Sequence, residues 1–255
     1  MKNLFDLSGK VAVVTGSSRG IGRAIVEHMS AAGARVVVSS RSPDVCESVA
    51  TEIRGRGGEA LAIPAKISDK AQLQQLVSKT IEHWGRIDIL VCNAASNPYL
   101  GPMGGLTDEV FDRMMRNNVL SNLWLTQMAV PGMIERRDGV IVFISSIVGI
   151  RATLHLGAYG ISKAADMALS RNLAAEYGKH NIRVNTIAPG LVRTDFARAL
   201  WKNPDALRKR EAATPLGRIG EVDDIAGIAV FLAAPAGAFI TGQTIVADGG
   251  IMIAP

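Results

Sequence analysis

Tyr159 and Lys163 stand four residues apart in Tyr-Gly-Ile-Ser-Lys, which puts both side chains on one face of a helix. A free phenol ionises near 10, too high for an efficient base at neutral pH. A neighbouring ammonium favours the phenolate and lowers that value, so the pair can give a proton to an alkoxide or take one from a hydroxyl. Upstream, Ser146 closes the apolar run Val-Phe-Ile-Ser-Ser, where a hydroxyl can hydrogen-bond an oxygen as charge develops on it. Asn118 lies inside a helical pattern, although an amide is a poor helix former. Taken singly, each has a plainer reading: a surface Tyr–Lys pair, a turn serine, a solvated asparagine.

Such residues need a frame that brings them together. Of the 255 residues, 48% are apolar, which suits one α/β domain spanning 1–255. Short β-branched runs at 11–15, 36–40, 60–64, 89–93, 139–145, 183–188 and 244–246 alternate with helical patterns near 20–32, 43–56, 69–84, 107–135, 158–179 and 222–233. Continuous apolar strands between helices predict a Rossmann-type, doubly wound sheet of about seven mainly parallel strands, with helices on both faces. Ser146 would then sit at a strand C-terminus, where open sheets of this kind bind ligands. Segment 190–220 breaks the rhythm with Pro204 and Pro215 around a helix-like centre holding Phe196 and Trp201, and is expected to be a substrate lid.

A phosphate site is written after the first strand. In Thr15-Gly16-Ser17-Ser18-Arg19-Gly20-Ile21-Gly22, Gly16 allows the turn, Gly20 lets a pyrophosphate approach the backbone, and Gly22 permits close helix–strand packing. The opening helix offers free N–H groups and a partial positive charge. The second strand ends in Ser40-Arg41 where an NAD site places an acid. With Arg19 in the loop, two guanidiniums and a hydroxyl suit a 2′-phosphate, which predicts NADP(H). Its oxidised nicotinamide would also favour the Tyr159 phenolate.

Together these motifs resemble the short-chain dehydrogenase/reductase family over nearly the whole chain, and within it the NADPH-dependent carbonyl and retinal reductase branch. Asn118, Ser146, Tyr159 and Lys163 match the family's catalytic tetrad, and Asn93-Ala94-Ala95 its motif after the fourth strand. The resemblance implies that Lys163 binds the nicotinamide ribose, that Asn118 holds a proton-relaying water, and that Pro189, Gly190, Val192 and Thr194 flank the nicotinamide. Ala95 replaces the family's usual glycine, and Lys66 its adenine-side acid, leaving the backbone around Ile67 for that role. A medium-sized apolar ketone, aldehyde or diketone is expected against Ser96, Tyr99, Leu154, His155, Leu156, Phe196 and Trp201. Arg151 and His155 would serve an acidic substrate. A homotetramer is also implied.

Two rival readings stand beside this one. A 3-oxoacyl-carrier-protein reductase would use Arg136 and Arg137 to dock an acidic carrier. A non-catalytic NADPH sensor would show a broken tetrad, whereas all four residues are present. The excess of 28 Lys and Arg over 23 Asp and Glu is scattered and aromatics are only 5%, which argues against nucleic acid. Cys46 and Cys92 read as free thiols, and neither they nor the four histidines have metal-ligand spacing. The first residues do not read as a signal peptide, no apolar run has membrane-span length, and Ile-Ala-Pro is not a peroxisomal address. Cytoplasm is the expected location.

Overall fold

A computed structural model describes residues 3–254. Seven strands form one sheet: β1 Val11–Thr15, β2 Arg35–Ser39, β3 Ala60–Ala62, β4 Ile89–Cys92, β5 Gly139–Ile144, β6 Ile182–Pro189 and β7 Thr244–Ala247. All pair in parallel, in the order β3-β2-β1-β4-β5-β6-β7. β3 stops before the expected 64 because Pro64 has no N–H to continue a ladder.

Period-two alternation sends strand side chains to two cores. Ala12 and Val14 face one side, with α1 (Gly20–Ala31), α2 (Pro43–Gly55) and α9 (Val222–Ala233) packed over them. Val13 faces the other, under α3 (Lys70–Trp84), α5 (Ser121–Arg136) and α6 (Gly157–Tyr177). Both faces are therefore covered, which is why the central strands β1, β4 and β5 are buried along their length. Among the described residues no helix is long and apolar enough to cross a membrane.

Two departures from the expected elements bear on the site. The continuous helix foreseen over 107–135 is α4 (Asp108–Met115), a wide π-helical turn at Arg116–Leu120, and then α5. A residue added to one turn re-aims the side chains around it, and such turns cluster at functional sites. The irregular stretch after β6 folds as two short helices, α7 (Arg198–Trp201) and α8 (Pro204–Ala212). It is pinned at its base by a bridge between Val192 and Gly220.

Candidate active site

The order of the strands reverses between β1 and β4, and the crevice this opens at their C-terminal ends holds the glycine loop. Gly16 and Gly20 have left-handed φ of 66° and 57°. A Cβ on Gly22 would lie 2.4 Å from both the Gly16 carbonyl oxygen and Asn93 Nδ2. The loop is held from below: Asn93 Nδ2 donates to the Thr15 and Gly16 carbonyls, at 2.9 and 3.2 Å. The Thr15 hydroxyl accepts from the N–H groups of Asn93 and Ala94, both at 3.1 Å. Asn93 thus shapes the cradle through the loop.

No side chain caps α1, so its first N–H groups, with those of Ser18 and Arg19, are free for a ligand. Arg19, Arg41 and Lys66 are exposed, and Ser40 and Ile67 half-buried. Thr194 lies across from Gly20, whose added Cβ would come within 3.4 Å of its methyl, while Gly190 is pressed against Asp248. An uncapped helix terminus, a cradle that a Cβ would fill, and cations in place of an acid after β2 fit a dinucleotide.

Beside this cradle the structure brings Asn118, Ser146, Tyr159 and Lys163 together. The wide turn buries Asn118 completely, and its amide is fully used. Oδ1 accepts the Ser96 N–H (2.8 Å), and Nδ2 donates to the Ser96 carbonyl (2.9 Å) and the Ser162 hydroxyl (3.0 Å). Asn118 therefore staples the loop after β4 to α6, directly beneath Tyr159. Its own carbonyl accepts from Asn122 Nδ2 at 2.7 Å. Ser146 accepts only a long bond from the Val148 N–H, 3.4 Å, leaving its hydroxyl hydrogen free to donate.

Lys163 is 2% exposed and its ammonium donates to the Ile144 carbonyl (2.8 Å) and to Asp166 (3.1 Å). It stands 5.7 Å from the centre of the Tyr159 ring. Burial pulls the ammonium's ionisation down, but Asp166 and Tyr159 more than offset this, and it titrates above the ordinary lysine value. The tyrosine corrects an expectation. Burial outweighs the nearby ammonium and, with Asp166 adding to it, holds the phenol above its usual value in the cofactor-free chain.

The rim is looser than the floor. Phe196, from the segment after β6, packs over Tyr159 with ring centres 6.1 Å apart. Ser96 stays near the centre through Asn118, and its hydroxyl accepts from Asn117. Tyr99 is turned elsewhere: its hydroxyl donates to Pro102 within its own loop (2.6 Å), and its ring fills space beside Gly101 and Gly105. Trp201 sits behind Thr194, donating to its carbonyl (3.0 Å) under the Arg193 guanidinium, rather than against the phenol. Leu154 and His155 are exposed, Leu156 is half-buried, and the His155 carbonyl accepts from Gly101. Arg151 reaches the Ile251 carbonyl instead of the crevice.

Arg136 and Arg137 occupy the opposite end of β5 from Ser146, bound to the Ile87 and Lys179 carbonyls. The sequence reading missed Asp166, Asn122, Ser162 and Met103, the last lying against Gly157 at the start of α6. The available signal for Asp166 was its place three residues after Lys163, within ion-pair reach on one helix face.

Comparison with known proteins agrees with this geometry. The family model described as enoyl-(acyl carrier protein) reductase matches residues 16–252. Dehydrogenase/reductase SDR family member 4 of Bos taurus is 38% identical over 244 residues, covering 96% of this chain and 88% of the relative. The chain belongs to the short-chain dehydrogenase/reductase family. It is an oxidoreductase of a family that binds nicotinamide cofactors. A gluconate 5-dehydrogenase from Burkholderia cenocepacia, solved with NADP and tartrate, superposes with a TM-score of 0.94 at 31% identity, covering 99% and 98% of the two chains. A 7α-hydroxysteroid dehydrogenase, solved with NADH and 7-oxo glycochenodeoxycholic acid, gives 0.94 at 36% identity, covering 98% of each chain.

Proposed function

We propose that this short-chain dehydrogenase/reductase is an NADPH-dependent carbonyl reductase acting on medium-sized apolar ketones, aldehydes or diketones. One observation carries the reading. Tyr159 stands at a boundary, with the buried Lys163 ammonium on its polar side and the Phe196 ring on its apolar side. We read the Phe196 ring as the apolar wall against which a carbonyl compound would lie, within reach of the Tyr159 proton donor.

When bound, NADPH supplies the hydride to the carbonyl carbon. The Tyr159 hydroxyl gives its proton to the carbonyl oxygen, and the Ser146 hydroxyl hydrogen-bonds that oxygen as it gains charge. Lys163 stabilises the phenolate that results. Asn118 keeps Ser96 and Ser162 in place around the reacting groups. Gly16, Gly20, Gly22 and the α1 terminus hold the pyrophosphate, while Arg19, Ser40 and Arg41 favour the 2′-phosphate over a bare ribose. Segment 190–220 acts as a lid over the substrate.

The exposed Phe239 and Ile253 near β7 support association of copies, as a homotetramer, which light scattering would measure. The free, buried Cys46 and Cys92 suit a reducing cytoplasm. Consumption of NADPH and NADH across aryl and alkyl ketones, aldehydes and diketones tests the reading. Turnover with at least one carbonyl, clearly favouring NADPH, is expected. Bound NADPH with no carbonyl reduced would overturn it.

A further inference from the structure

Nothing in the proposed proton transfer calls for Asp166, yet the site is built around it. The residue is 0% exposed, and its carboxylate links α6 to α5. Oδ2 takes the Lys163 ammonium at 3.1 Å and Oδ1 accepts from Asn122 Nδ2 at 3.0 Å. The other N–H of that amide goes to the Asn118 carbonyl, tying the carboxylate into the wide turn. A buried ion pair is often no more stable than apolar residues of the same volume, so folding alone does not account for it.

The order along α6 indicates what it does. Tyr159 lies one turn before Lys163 and Asp166 one turn after, so the ammonium sits between a phenol and a carboxylate. The other groups facing the cluster are neutral: Asn122 from α5, the Ile144 carbonyl from β5, and Cys92 from β4, whose thiol burial keeps protonated. Burial raises the Asp166 carboxyl above its usual value while Lys163 and Asn122 pull it down, and paired with the ammonium it is the negative charge that opposes Lys163 in the field felt by Tyr159.

Resting on the reductase reading, we propose that Asp166 is a positioning residue and counter-charge. It holds the Lys163 ammonium against β5, limits how far that charge favours the phenolate, and so sets the pH at which the tyrosine–lysine pair releases its proton. Such a coupled pair loses its first proton as a unit. Removing a neighbouring negative charge makes that loss easier, whichever of the two groups gives it up. Reduction needs the protonated phenol and is lost as pH rises through this ionisation. Oxidation needs the phenolate and is gained there.

Asp166→Asn tests the proposal, because it keeps the size and removes the charge. The chain has three tyrosines, so the alkaline absorbance of tyrosinate, taken as the difference from the matching Tyr159→Phe protein, reports Tyr159 without turnover. We expect Asp166→Asn to lower this ionisation by about one pH unit or more. The high-pH limb of carbonyl reduction and the low-pH limb of alcohol oxidation should move down with it. Asn122→Ala breaks the adjoining hydrogen bond but keeps the charge, and should leave the ionisation within a few tenths of a unit, roughly. Should Asp166→Asn fail to fold, Asp166→Ser, which leaves room for water beside Lys163, carries the same test. An unchanged or raised ionisation, or an equal shift in Asn122→Ala, would overturn the proposal. Absence of turnover with every carbonyl would instead overturn the reductase reading, since the absorbance titration does not depend on it.

Discussion

The floor beneath Tyr159 and the rim above it follow opposite rules. On the floor, Asn118, Asn122, Ser162, Lys163 and Asp166 are buried and linked by hydrogen bonds of 2.7–3.1 Å. On the rim, Leu154 is 86% exposed and Phe196 56%. The segment carrying Phe196 is fixed where Arg193 N–H donates to Gly220 and Gly220 N–H to Leu191, both at 2.9 Å. Proton transfer needs reacting atoms held in one geometry, which a saturated polar network gives. Choice of substrate needs a surface that can adapt, and a loop hinged at its base supplies one. On the proposed reading, the chemistry belongs to the floor and the specificity to the rim.

The comparison can be broken most sharply at Tyr159. Tyr159→Phe should reduce turnover by on the order of 10³-fold, while NADPH binding and the unfolding temperature stay close to those of the parent. Comparable turnover in the two proteins would remove the phenol from the reaction. Next in size is a stability contrast. Asn118→Ala leaves the N–H and carbonyl of Ser96 without partners and should cost about 2–4 kcal/mol in denaturant unfolding. Leu154→Ser on the rim should stay within about 0.5 kcal/mol. Similar costs would mean that floor and rim are equally constrained.

The cradle and the lid give smaller effects that sharpen the picture. Arg41→Ala should lower kcat/KM for NADPH by about tenfold or more while leaving NADH nearly unchanged, because a charge-assisted bond to the 2′-phosphate is lost. Equal losses with both cofactors would show that Arg41 does not read that phosphate. Phe196→Ala should raise KM for an apolar ketone several-fold, with kcat held to within about twofold. A fall in kcat at constant KM would move Phe196 from the rim to the floor.

What the sequence made legible follows the same division. Continuous runs such as Val11–Thr15 can serve only where both sheet faces are covered, so the parallel, doubly wound sheet and the glycine loop could be read directly. Tyr159, Lys163 and Ser146 were legible because helix spacing and strand ends fix their positions. The wide turn at Asn118 was not, since one added residue hardly disturbs a 3.6-residue period. Asp166 had a local signal in Lys163 three residues before it, but its second partner Asn122, which shows that it is buried, is remote in sequence. Tyr99 in a loop and Trp201 in a one-turn helix show the limit for segments too short for periodicity to say which way an aromatic ring turns.

The most direct measurement follows the hydride itself. NADPH deuterated at both C4 positions is incubated with the best carbonyl of the panel, and the product alcohol is analysed by mass spectrometry. One deuterium on the carbinol carbon, formed far more slowly by Tyr159→Phe under the same conditions, is the predicted result. NADPH that binds tightly but transfers no label to any carbonyl would contradict the account.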